Sequence, residues 1–332
     1  MGRAATAWTR LDYVAAVVER LAVLLAAGVS PSAAWGYLAE AEAEGAPESD
    51  GTSHVVRAVA LAGVGRPVGE VILEAVTPRK TLADSRHRRT KLAKATSDSE
   101  DSAWRGLAAA WIVASDAGAP LASGLLNFAG ALRALAQARR DTSVALSGPV
   151  ATAKLVLVLP IIGILFGMAL GFDTLGTLVT TVPGMVCLVG GGLLLLAGRA
   201  WNRKLVVAAT PTNLTPGLVL DLFAIAVSGG ASLDRARNAV TSSVARCGIE
   251  GTVADADAVL SLASRAGVPA GVLLQSEADR VRRDATSDAD RRAAKLAVTL
   301  MIPLGLCVLP AFMLVGVAPL MIAVLSSTVD VF

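Results

Sequence analysis

The chain has 332 residues, a net charge of only +3, 54% hydrophobic residues and 17% charged ones, with a mean hydropathy of +0.60. This balance excludes a highly basic nucleic-acid binder and favours a membrane protein. Aromatics at 4% are too scarce for the aromatic girdles of an outer-membrane barrel, so helices are expected. Cys187, Cys247 and Cys307 lie far apart and form neither a disulfide framework nor a metal-ligand spacing.

The first residues, MGRAATAWTRLDY, hold no apolar core and no small-residue cleavage site, so no signal peptide and a cytoplasmic N-terminus are expected. Leu11, Val14, Val18, Leu21 and Leu25 then recur at helical spacing and form one apolar stripe. The stretch LLAAGVSPSAAW ends that helix at Gly28, offers Ser30 as a cap and opens the next helix at Pro31. Further on, RKTLADSRHRRTKLAKATSDSE (79–100) reads as an exposed loop, whose basic part could meet anionic headgroups or an acidic partner. SDAGAPLASGLL (115–126) contains a second turn, at Gly118 and Pro120.

Leu155–Phe172 and a following run that ends at Gly198 are each long enough to cross a bilayer. Only Asp173 is charged between them, which predicts a short hairpin. Arg139, Arg140 and Lys154 precede the hairpin, and Arg199, Arg203 and Lys204 follow it, so both flanks should be cytoplasmic. Trp201 stands where an interfacial anchor is expected. Gly163, Gly167 and Gly171 form a smooth stripe suited to close helix packing.

After the hairpin, IAVSGGASLDRAR repeats the first turn at a shift of 202 residues: Glu19 aligns with Asp221, Gly28 with Gly230, Ser30 with Ser232. SRAGVPAGVLLQ repeats the second turn at a shift of 149, pairing Gly118 with Gly267 and Pro120 with Pro269. Leu296–Val329 contains no charge. As one helix it would measure roughly 50 Å, more than the ~30 Å hydrocarbon core. Pro303, Pro310 and Pro319 are expected to interrupt or kink it, giving one crossing with an irregular end or two short ones.

The expected architecture is all-α and polytopic, with two duplicated cytoplasmic helical bundles and about three transmembrane helices. The bundles span 1–153 and 200–295, the transmembrane hairpin 154–199, and the C-terminal membrane segment 296–332. Both bundles fall on one side of the membrane, unlike the inverted repeats of many transporters.

Bundle, hairpin, bundle and membrane segment, with the LLAAGVSPSAAW and SGGASLDRA turns, AGAPL, AGVP and the end KLAVTLMIPLGLCVLPAFMLVGVAPL, resemble the type II secretion F-domain family. Within it the similarity is greatest to the tight-adherence (Tad/Flp pilus) platform proteins, some of which carry an N-terminal pair of membrane helices absent here. The resemblance implies a multi-pass protein of the cytoplasmic membrane that couples a hexameric secretion ATPase to the extraction of pilin-like subunits. Homo-oligomers and contact with membrane lipids are expected, a paralogous platform protein is left open as a further partner, and the small net charge points to no nucleic acid.

No enzyme site is expected, and neither a metal nor a cofactor. His54 and His87 are the only histidines, and there is no GxxxxGK[ST] loop for nucleotide phosphates. Glu19 and Asp221, each nine residues before a turn glycine, are candidate partner-binding carboxylates that could meet Arg or Lys on a neighbouring helix or on another protein. A small-molecule transporter or channel is the alternative, but its spans would carry ionisable groups, and these carry none besides Asp173.

Overall fold

The computed structural model describes residues 5–45, 53–77, 91–145, 181–209 and 216–319, with isolated positions between 162 and 176 and at 321–322. The described residues are helical, with no strand among them. They form two compact units. The first comprises Met1–Arg140 and Thr212–Ser287; the second comprises Asp141–Pro211 and Asp288–Phe332. The two stretches expected as separate bundles therefore contribute to one unit with a common core.

In the first unit, α1 (Ala5–Ala26) and α2 (Pro31–Gly45) form a helical hairpin, followed by α3 (Ser53–Ala62) and α4 (Val68–Val76). Next come α5 (Lys91–Ala117) and α6 (Leu121–Ala145). The segment 79–100 is thus only partly the expected loop: from Lys91 it is the start of α5, and Ser99 and Glu100 are buried. Residues 79–90 lie outside the described residues.

α5 occupies the centre of the unit. It packs against α1 and α4 and against two later helices, α8 (Leu218–Ser228) and α9 (Leu233–Cys247). Every residue from Gly106 to Ala114 is buried, which makes this stretch apolar on all sides, as a core helix must be. Leu107 and Trp111 supply bulk, while the alanines and glycine of the same run let neighbours come close. A Cβ on Gly106 would lie 2.8 Å from the Phe128 ring of α6.

α8 packs on α9 and on α10 (Ala254–Ala266), and α11 (Ala270–Thr299) completes the unit up to Ser287. α8 is buried from Leu218 to Ala226, Asp221 included.

In the second unit, α7 (Val182–Ala209) packs against the C-terminal helical segments Met301–Pro303, Leu304–Val308, Leu309–Phe312 and Met313–Val317. Leu304–Val308 and Met313–Val317 are π-helical. The expected interruption by prolines takes this form. A proline ring collides with the carbonyl four residues earlier. For Pro310 and Pro319 those carbonyls belong to Leu306 and Val315, each inside a π-helical turn, and for Pro303 the carbonyl belongs to Thr299, where α11 ends. The wider turns absorb the missing hydrogen bonds and the chain stays helical.

Candidate functional site

The four predicted turn glycines all have positive φ: Gly28 at 85°, Gly118 at 64°, Gly230 at 76° and Gly267 at 67°. Gly28 closes α1 with paired bonds, its N–H to the Leu25 carbonyl and that of Val29 to Leu24 (3.0 Å). Ser30 Oγ accepts from the Ala33 N–H, and Ser232 Oγ from that of Arg235, both at 3.4 Å. Pro31 opens α2, while Pro120 and Pro269 immediately precede α6 and α11. Gly163, Gly167, Gly171 and Asp173 lie outside the described residues.

Glu19 and Asp221 both find arginine partners inside the first unit. Arg133 of α6 donates to Glu19 through both terminal nitrogens, one bond at 2.7 Å. Arg282 of α11 donates to Asp221 and, at 2.8 Å, to Asp279. The shift of 149 that aligns Gly118 with Gly267 also carries Arg133 onto Arg282. Both members of each ion pair therefore correspond under the two shifts. The sequence reading assigns neither arginine to these carboxylates, although that shift points to them.

The two pairs differ in their surroundings. The Glu19 and Arg133 side chains are 37% and 50% exposed, those of Asp221 and Arg282 only 7% and 15%. The hydrogen bond from Arg133 lowers the Glu19 pKa. For Asp221, burial outweighs the attraction of Arg282 and pushes the pKa up to about 6. As a candidate for binding a partner, Asp221 is thus enclosed and committed to Arg282, whereas Glu19 stays at the surface. A cleft of about 270 Å³ beside Asp221 is lined by Leu126, Asn127 and Gly130 of α6 and by Gln275, Asp279 and Arg282 of α11.

No family model, curated protein or solved structure matches this chain.

Val182–Asn202, in the second unit, and the helix that runs through Ala270–Val317, whose apolar end belongs to that unit, are long and apolar enough to cross a membrane. Val186, Val189, Leu193 and Leu196 of α7 are exposed. Its inner face carries Gly191, where a Cβ would collide with Val315 Cγ2, and Gly198, where it would lie 3.1 Å from Cys307 Cβ. These glycines bring the two apolar helices together. Trp201 is 40% exposed. Among the described residues no cluster of metal-binding side chains occurs.

Proposed function

We propose that this chain is a multi-pass platform protein of the cytoplasmic membrane, akin to the tight-adherence members of the type II secretion F-domain family. In this reading it couples a cytoplasmic hexameric secretion ATPase to the extraction of pilin-like subunits. The observation that carries it is the pair of corresponding ion bridges, Glu19–Arg133 and Asp221–Arg282. They support a common origin of the two turn repeats in one duplicated helical unit, which is the organisation the family resemblance implies. The two helices long and apolar enough to cross a membrane support the membrane location.

The chain offers no phosphate loop, so the platform reading draws its energy from a partner. The surface around α1 and α2, residues 19–40, is the proposed ATPase contact, since Glu19 is exposed there. The segment 221–242 is an equivalent candidate by sequence, but its α8 portion is buried, which leaves the α9 face.

The full chain, purified in detergent, is tested for co-purification with a hexameric secretion ATPase and for ATP hydrolysis alone. Stable co-purification without intrinsic hydrolysis is the expected result. Hydrolysis by the chain alone would overturn the platform reading.

A further inference from the structure

The start of α1, the third turn of α5 and the end of α6 meet through arginines. Arg10 donates to Glu100 at 3.0 Å, and Arg140 donates to Asp12. Arg139 has a different partner: it donates at 2.6 Å to the hydroxyl of Ser99, a residue only 3% exposed. No carboxylate among the described residues reaches Arg139. Arg10 and Arg140 are thus each paired with a carboxylate, whereas Arg139 has none among the described residues. Burial lowers the Arg139 pKa, and no charge among the described residues offsets that effect.

An arginine stays protonated even so. A half-buried cation without a counter-charge is costly, and its planar fork matches the oxygens of a phosphate group. We infer that Arg139, with the Ser99 hydroxyl, forms a binding site for a phosphate-type anion. The anion supplies the counter-charge that no described residue gives Arg139. Two sources share this chemistry: free phosphate and the headgroup of an anionic lipid. Arg139 precedes the apolar run that begins at Leu155, which favours the lipid. The site stands on Arg139 and Ser99 and does not depend on the platform reading.

The test is thermal melting of the full chain in detergent, in phosphate-free buffer, with added inorganic phosphate, short-chain phosphatidylglycerol or short-chain phosphatidylcholine. A bound anion at ten times its Kd should raise the midpoint by about 3–6 °C. A rise with phosphate and phosphatidylglycerol identifies the shared anion chemistry; a rise with phosphatidylglycerol alone identifies the lipid headgroup. No rise with either overturns the site, as does an equal rise with phosphatidylcholine.

R139Q should abolish the response, yet melt no lower than the native chain without ligand, because it removes an uncompensated charge. A persistent response in R139Q, or a fold lost through that substitution, rejects the proposal. R139K keeps the charge without the fork and should respond several-fold more weakly. A response equal to the native one in R139K would exclude bidentate recognition by Arg139.

Discussion

Glu19–Arg133 and Asp221–Arg282 present the same chemistry at corresponding positions in two environments. The carboxylate of the first pair lies on α1, whose apolar residues occupy one stripe and leave Glu19 toward solvent. The carboxylate of the second pair lies on α8, which from Leu218 to Ala226 is otherwise apolar and is enclosed by α5, α9 and α10. An exposed ion pair contributes little, because water screens it and two long side chains lose freedom. A buried pair gains more from Coulomb attraction but loses much of that gain to desolvation. The raised pKa of Asp221 shows desolvation prevailing. Residues that correspond under a sequence shift need not keep equivalent energetic roles.

The largest expected effect follows from breaking the buried pair. Asp221→Ala leaves Arg282 buried without that partner and should cost about 3–5 kcal/mol. At ~2–4 °C per kcal/mol, the midpoint falls by about 10 °C. Replacing both residues, Asp221→Leu with Arg282→Met, should recover most of the loss, because neither charge remains to be desolvated. A double variant as unstable as the single one would show that the pair itself holds α8 to α11.

Titration separates the two pairs by sign. Asp221 binds its proton more tightly in the folded state, with a pKa of about 6. Its contribution to stability is full below the unfolded value of ~3.9 and is lost as pH rises through about 6, a change of about 3 kcal/mol. Glu19 has a lowered pKa, so its contribution is present above the unfolded value and is lost as pH falls. Burial raises Glu42 and Glu100 too, so the native curve alone is ambiguous. The difference between the native chain and Asp221→Asn isolates the Asp221 contribution. A difference that does not vary from pH 4 to 7 would contradict the raised pKa.

The turns sharpen the contrast. Ala27 and Gly229 correspond under the shift of 202. A Cβ at Gly229 would collide with the Ala117 carbonyl oxygen, at the end of α5. Ala27 is exposed. Gly229→Ala should therefore cost about 1–3 kcal/mol through a forced backbone shift. Ala27→Gly should change stability by at most about 1 kcal/mol. Similar losses at both positions would mean that α5 does not pin the second turn.

Much of this contrast is legible in the sequence. The turn glycines, the capping serines and the matching carboxylates follow from local chemistry and spacing. The burial of α8 is foreshadowed by LVLDLFAIAVS, which offers no polar face besides Asp221. Other features depend on tertiary packing. Arg280, Arg282 and Arg283 are chemically alike, and only the orientation of α11 selects Arg282 for Asp221. KLAKATSDSE reads like a loop because its polar residues hide the first turns of α5, which Arg10 of α1 and Arg139 of α6 meet at Glu100 and Ser99. Gly191 and Gly198 owe their packing role to the particular register of α7 against the C-terminal segments.

The smallest expected effect on stability is at Glu19. Its removal leaves Arg133 half-exposed, where water replaces the lost carboxylate, so Glu19→Ala should leave the melting midpoint nearly unchanged. Function offers a separate readout. If α1 meets the ATPase through this carboxylate, Glu19→Arg reverses the charge beside Arg133 and should weaken co-purification while the fold is retained. Asp221→Asn, buried away from any partner, should leave co-purification intact wherever the chain remains folded. Equal co-purification by the native chain and Glu19→Arg would remove Glu19 from the contact and leave its ion pair as a minor link between α1 and α6.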